Sequence, residues 1–317
     1  MRITKKYNRY SEYLEDINDA AKNSSEDFIS GCEASYHDSI KEAADQIASY
    51  ETASLILLAG PSASGKTTSG LILIEKLKQK GIIGKIVSLD DFYRGKNSAP
   101  LLPNGKYDYE SIEALNVPQI QSCLSELVST GHSLFPVYSF TNGCPGDEKK
   151  LIELHEHEVL IVEGIHALNP IIYSNLPKEK ILKMYVSVKH GIKSNSGQIL
   201  SHLDVRMLRR LVRDFKYRSS EPERTFEMWE QVCVAEKINI YPFKRQADII
   251  VNSIHMYEPC VIARPALELL TAITPESIFY TKALVLIGAL RLFEEIEIKK
   301  VPENSLLREF LGDSAYY

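Results

Sequence analysis

Gly60-Pro61-Ser62-Ala63-Ser64-Gly65-Lys66-Thr67 satisfies the spacing G-x-x-x-x-G-K-[ST] at every required position. Glycines and small serines let backbone N–H groups curl around an anion without side-chain collision. A helix opening at the end of such a loop turns its unpaired N–H groups and positive dipole end toward the same anion. Lysine supplies a point charge for the β- and γ-phosphates, and the threonine hydroxyl is a ligand for Mg²⁺. The apolar run Ser54–Ala59 before the motif and helical spacing after it provide the strand–loop–helix context that the pattern requires. A nucleoside triphosphate with Mg²⁺ is therefore expected along Gly60, Ser62, Ala63, Ser64, Gly65, Lys66, Thr67 and Thr68, the loop itself leaving ATP and GTP open.

Three further groups could complete a reaction there. Glu163 ends the apolar run Val159–Val162, the form of an acid that holds Mg²⁺ beside a phosphate loop, against the plainer reading of a solvent-facing strand end. Asp90 follows the run Ile86–Leu89, at the carboxyl end of a strand, where open α/β sheets form their ligand crevice. It could accept the proton of an attacking hydroxyl, with Phe92 and Tyr93 walling a planar or sugar-like substrate, or it could cap an Asp-Asp turn. The segment 204–218 sets Leu208, Leu211, Val212 and Phe215 on one helix stripe and Arg206, Arg209 or Arg210, and Arg213 away from it. Only Asp204 and Asp214 oppose its cations within the segment. The row reads as an arginine lid over a transferring phosphoryl group rather than a solvated face or a nucleic-acid patch. His166 reads as a loop or packing residue.

The elements that must position these groups follow from periodicity. Strands are expected at 54–59, 85–89, 158–162, 181–188 and 247–252, and helices at 67–81, 112–131 and 204–218, with two apolar-rich helices within 257–295. Buried strands alternating with helices predict an α/β fold, a doubly wound parallel sheet of the P-loop NTPase type. The expected division is a mostly helical extension over 1–51, a P-loop domain over 52–255 carrying the lid helix, and a second helical extension over 256–317. Residues 1–30 have weak periodicity and receive no assignment. Ile40, Ala43, Ala44, Ile47 and Ala48 mark an amphipathic helix.

Composition narrows the setting. A net charge of −5 over 317 residues argues against nucleic acid as the main partner. No apolar run approaches the ~18 residues of a membrane span, and the first twenty residues hold no apolar core of a secretory signal. Five scattered cysteines without C-x-x-C spacing read as free thiols, so a cytoplasmic location is expected with neither membrane nor nucleic-acid partners. The helices of 257–295 are either core or a subunit interface of a homo-oligomer.

Taken together, GPSASGKTT at 60–68, SLDDFY at 88–93, YDYES at 107–111, PVYSF at 136–140, VEGIHALNP at 162–170, DVRMLRRLVRD at 204–214 and EKINIYPFKRQADIIVNS at 236–253 resemble the phosphoribulokinase/uridine kinase family. The C-terminal NSLLREFLGDS at 304–314 is similar to larger bacterial uridine-kinase-like nucleoside kinases, which often carry a domain related to threonyl-tRNA synthetase. The stretch ahead of the loop is expected to be too short for one. The resemblance implies Asp90 as general base, Tyr93 as an aromatic of the substrate site and Asp108 as the acid on ribose hydroxyls, with Tyr107 beside it. It also implies Tyr138 and Phe140 in the base pocket, Glu163 as the metal-associated acid, and Arg206, Arg209 and Arg210 as lid arginines. One departure is Gly143, where typical uridine kinases have a histidine. The implied activity is ATP-dependent phosphorylation of a nucleoside 5′-hydroxyl, uridine first. A kinase of another small alcohol, phosphoribulokinase- or pantothenate kinase-like, and a non-catalytic ATP-binding regulator stay open as alternatives.

Overall fold

Runs of consecutive apolar residues make the centre of the molecule. Leu55–Ala59 is buried at every position, and so is Ile249–Asn252, because helices cover both faces of the sheet to which they belong. The computed structural model describes residues 2–3, 12–102, 105–139 and 141–317. In chain order the strands are β1 (Arg2–Ile3), β2 (Leu55–Ala59), β3 (Ile83–Ser88), β4 (His132–Ser139), β5 (Cys144–Glu153), β6 (Glu158–Glu163), β7 (Ile181–Ser187), β8 (Ile192–Ser194), β9 (Gly197–Leu200) and β10 (Ile249–Asn252). The helices are α1 (Leu14–Ala48), α2 (Lys66–Lys78), α3 (Val117–Thr130), α4 (Pro170–Tyr173), α5 (His202–Arg218), α6 (Pro222–Asn239), α7 (Glu258–Thr271), α8 (Tyr280–Leu290) and α9 (Arg308–Leu311).

Six strands form one sheet in the order β1-β10-β7-β2-β6-β3, all parallel. The α/β parallel-sheet expectation holds. β2 lies centrally, so the loop after it opens at the middle of the sheet's carboxyl edge. The β3–β6 register pairs Ser88 with Glu163, bringing two strand ends to the same level.

Several elements depart from the sequence reading, among them α6 and the hairpin β8–β9, which lie where no element was assigned. α1 begins at Leu14, well inside the unassigned stretch. Its Ile17 and Ala21, then Phe28, Ile29, Cys32 and Tyr36, are buried, but a non-helical Ser24 (φ −154°, ψ 48°) resets the phase between the two groups and hides the period. The expected 112–131 helix is a 3₁₀ turn at Ile112–Ala114 followed by α3. Asn116 caps α3, accepting from Gln119 N–H at 3.3 Å, and Pro118, which lacks an N–H, fits its first turn. The antiparallel hairpin β4–β5 was not expected, because nine of ten β5 positions are exposed and carry no apolar alternation.

Both terminal segments share the core of the sheet. Ile40 and Ala44 of α1, Ile72 of α2, Ile161 of β6, Ala266 of α7 and Phe310 of α9 belong to one buried apolar cluster. A second cluster, with Phe92, Leu124, Phe135 and Ile172, fills the opposite face. Among the described residues no helix is long and apolar enough to cross a membrane.

Candidate active site

The loop 60–67 leaves β2 and turns into α2 through Gly65, whose φ of +82° is left-handed, a region a Cβ disfavours. Ala63 also has positive φ, at 55°. Ser64 is fully buried, and its hydroxyl has no hydrogen-bond partner. Such an atom is costly unless something pairs with it. Lys66 Nζ lies 3.4 Å from the Pro61 carbonyl oxygen and 3.8 Å from Glu163 Oε1. Thr67, one residue into α2, is half-buried.

Glu163 ends β6 with 8% exposure, and its Oε2 accepts from Ser88 Oγ at 3.4 Å. Burial raises its pKa to about 7 against the pull of Lys66, and nearby Asp90 and Glu309 push the same way as burial. Asp90 stands in a 3₁₀ turn, Leu89–Phe92, that Ser88 caps by accepting from Asp90 N–H at 3.2 Å. The residue is exposed, but charged neighbours from other elements stand close to its carboxylate. Desolvation raises its carboxyl pKa, Lys66 and Arg218 oppose that, and Asp91 adds to it. Lys66, Glu163 and Asp90 therefore act on one another across one small space.

Tyr93 links this trio to the aromatic side of the cleft. Its hydroxyl donates to the Tyr109 carbonyl at 2.9 Å, and its ring lies 5.9 Å from that of Tyr138. Burial raises its pKa, reinforced by Asp90, Glu110, Tyr138 and Asp108 around it. Asp108 Oδ1 accepts from Glu110 N–H at 3.1 Å, so one carboxylate oxygen also stiffens its own turn. Tyr107 packs on Tyr109 with centroids 6.0 Å apart. Phe140 lies outside the described residues.

The arginine helix differs from the sequence reading. α5 turns Arg206, Arg209 and Arg210 inward rather than presenting them as an open row. Arg206 pairs with Glu236 (Nη1–Oε2 3.0 Å) and donates from Nε to the Ser62 carbonyl at 2.8 Å. Arg209 is fully buried and grips Glu258 through both carboxylate oxygens, at 2.5 and 2.7 Å, and also reaches the Ala63 carbonyl at 3.3 Å. Arg210 donates to Ser62 Oγ at 2.9 Å and lies 3.1 Å from Asp214. Arg206 and Arg209 are neutralised by acids on α6 and α7 that lie outside the segment, while Arg210 shares Asp214 of its own helix with Arg213. In this arrangement the three arginines clasp the first half of the phosphate loop.

Glu110, Glu309 and Tyr317 escaped the sequence reading, whereas His166 is the packing residue it was read as. Glu110, inside the YDYES stretch, has its pKa raised to about 6 by burial, and it senses Arg210, Glu236, Asp90 and Lys66. His166 is buried with both ring nitrogens unpartnered, and desolvation lowers its pKa to about 4, so it is neutral near pH 7. The C-terminal segment also reaches the loop: Thr68 Oγ1 donates to Glu309 at 2.7 Å and lies 3.0 Å from the Tyr317 hydroxyl. Its bare sequence gives no signal of this contact, which spans 241 positions.

The site fits a nucleotide with a hard dication. The unpaired Ser64 hydroxyl, Lys66 and the α2 N-terminus form an anion-binding set. Among the described residues no three His, Cys, Asp or Glu side chains gather as a metal cage. Thr67 and Glu163 would supply the protein ligands, the usual sparse arrangement for Mg²⁺ held mostly by phosphate and water.

A sequence profile of the Phosphoribulokinase / Uridine kinase family matches residues 55–258. The chain is 29% identical over 220 residues to a uridine kinase of Deinococcus deserti, across 69% of this chain and 93% of that one. It is 29% identical over 199 residues to a uridine kinase of Lactobacillus johnsonii, across 62% and 85%. A solved structure of a possible uridine kinase from Bacillus stearothermophilus aligns with a TM-score of 0.46 and 16% identity, over 68% of this chain and 98% of that one.

Proposed function

The chain belongs to the phosphoribulokinase/uridine kinase family, and on that premise we propose that it transfers the γ-phosphoryl group of ATP to the 5′-hydroxyl of a nucleoside, with uridine as the acceptor. The observation that carries this reading is the meeting of Lys66, Glu163 and Asp90 at the mouth of the phosphate loop, with Lys66 Nζ 3.8 Å from Glu163 and acting on Asp90. Asp90 accepts the proton of the acceptor hydroxyl. Its desolvated carboxylate is more basic than a free aspartate, while Lys66 favours its ionised form. Lys66 and the loop N–H groups hold the triphosphate, and Thr67 and Glu163 hold the cation, which supplies charge neutralisation on the phosphate oxygens when bound. Catalysis is then mostly positioning and electrostatics, as a loose phosphoryl-transfer transition state requires.

The acceptor side of the cleft supports a neutral polyol with a flat ring. Asp90, Asp108 and Glu110 gather around Tyr93, so a second phosphate placed there would meet carboxylates, with Arg210 and Arg218 as the nearest cations besides Lys66. Tyr93 and Tyr138 offer ring faces to a base. The relatives named uridine kinase support uridine within that class.

The test is ADP production from ATP and Mg²⁺ with a panel of nucleosides and sugar phosphates. Uridine should stimulate ADP release, and Asp90→Asn should slow it by about 10²–10⁴-fold. Turnover near wild type in Asp90→Asn, or stimulation by sugar phosphates alone, would refute the assignment.

A further inference from the structure

Beside the phosphate loop lies a cavity of about 720 Å³, within the ~300–1,000 Å³ common for small-molecule sites. Pro61 forms one corner of its wall. Its lining includes none of Lys66, Thr67, Asp90, Glu163, Tyr93 or Tyr138, so it is a different space from the cleft described above. Lys189 and His190 come from the turn after β7, His202 and Arg206 from α5, and Lys244 and Arg245 from the turn before β10.

The cavity is marked by the sign of its charge. No aspartate or glutamate is among its lining residues. Arg206 is answered by Glu236 behind it, but among the described residues Lys244 and Arg245 enter no ion pair. Lys244 Nζ instead sits 4.6 Å above the centroid of the Tyr241 ring. The cations also crowd one another. Burial, followed by Lys244, lowers the pKa of Lys189; burial, then Arg206, lowers that of His202 against Asp204 and Glu236, which favours its neutral ring and leaves Lys189, Lys244, Arg245 and Arg206 as the cations. Like charges held together in a partly desolvated hollow are unfavourable until an anion enters.

The walls are built rather than accidental. Asn252, at the end of β10, accepts from Lys189 N–H at 3.0 Å, and its Nδ2 lies 3.3 Å from His190 Nδ1. That bracing holds the turn after β7 against the sheet. Tyr185 and Ile250, neighbours in the β7–β10 register, supply an aromatic and apolar wall, and Tyr241 adds a second ring. Cations for phosphate beside ring faces for a base describe a nucleotide.

We infer that this cavity is a second anion site, distinct from the phosphate loop, that binds a phosphate-bearing nucleotide between Lys189, Lys244 and Arg245 and the rings of Tyr185 and Tyr241. The two hollows differ in charge: the acceptor cleft mixes carboxylates with Lys66, Arg210 and Arg218, whereas no carboxylate lines this one. Arg206 joins them, since it lines the cavity and donates to the Ser62 carbonyl of the loop. A phosphate drawing on Arg206 therefore changes the hold on the loop's first half.

Calorimetric titration of the full chain tests this, with ATP, UMP and inorganic triphosphate as separate probes. Lys66→Ala weakens the loop site, whose N–H groups and helix end remain, so the part of the residual binding that substitutions at Lys244 and Arg245 abolish reports the cavity, whether or not the protein phosphorylates nucleosides. The inference expects at least one nucleotide to bind Lys66→Ala, and expects Lys244→Glu/Arg245→Glu in that background to weaken it by more than about tenfold. Both positions are solvent-exposed, so the fold should tolerate the change, and Lys244→Met/Arg245→Met repeats the test without charge reversal. Inorganic triphosphate binding as well as ATP would mean that the cations alone hold the ligand and the rings do not, which overturns the nucleotide assignment. Absence of nucleotide binding to Lys66→Ala, or binding indifferent to both double variants, overturns the site.

Discussion

Replacing Glu258 by alanine should destabilise the protein sharply, and the structure sets the size of the effect. Arg209 is fully buried, with its guanidinium held by both oxygens of Glu258, by the Ser253 carbonyl at 2.8 Å and by the Ala63 carbonyl at 3.3 Å, over the Phe310 ring. The carbonyls supply dipoles but no counter-charge, so Glu258→Ala leaves a cation in the core. Breaking a buried pair from one side costs about 3–5 kcal/mol. Unfolding entropy near 2.1 cal/mol/K per residue gives roughly 0.7 kcal/mol/K for a chain of this length, so the melting temperature should fall by about 5–8 °C. Removing both charges in Arg209→Met/Glu258→Met should recover at least half of the loss, because no unpaired charge remains. Thermal unfolding followed by circular dichroism reads both variants. A shift under about 1.5 °C for Glu258→Ala, equivalent to less than ~1 kcal/mol, would refute the buried clasp.

Three other outcomes follow from the same geometry. Glu163 has its pKa raised from 4.5 to about 7 by burial, so the folded state prefers it protonated; that preference is fully expressed below about pH 4.5 and lost as pH rises through 7. Wild type should therefore lose about 3 kcal/mol relative to Glu163→Gln across that window, measured by urea unfolding at each pH; parallel stability curves would contradict the assignment. In Gly65→Ala the new Cβ would stand 2.4 Å from Leu306 Cδ1 at a φ of +82°, so denaturant unfolding should show more than ~1 kcal/mol lost, with Leu306→Ala restoring only part; a neutral Gly65→Ala would show that the loop has another shape. Thr68→Val removes the donor to Glu309 and the contact with Tyr317, costing about 1–3 kcal/mol and loosening residues 309–317; unchanged amide exchange there would argue against the contact.

What could be read along the chain and what could not divide by distance. The phosphate loop is a local conformation: glycines, a lysine and a threonine within eight positions suffice to specify it, and the strand before and helix after are periodic on their own. Asp90 and Glu163 were recognisable because each ends an apolar run, and parallel strands in a doubly wound sheet bring such ends to one edge. The α1 helix was half-hidden because its apolar phase breaks at Ser24, and β5 was hidden because a ladder can form without an apolar face.

The arginines mark the boundary. Their helix, its capping by Ser201 and its apolar stripe were written locally, but whether they faced solvent depended on acids elsewhere. Glu236 lies 30 positions from Arg206 and Glu258 lies 49 from Arg209, and neither pairing leaves a periodic trace. The same holds for Glu309 at Thr68 and Leu306 against Gly65. Sequence alone specified the conformation of the loop and the strand and helix that flank it, since backbone conformation and apolar period are properties of neighbouring residues. Only the tertiary structure decided which charges are neutralised, because a buried cation is stabilised by whatever carboxylate the packing brings to it, however far away in the chain.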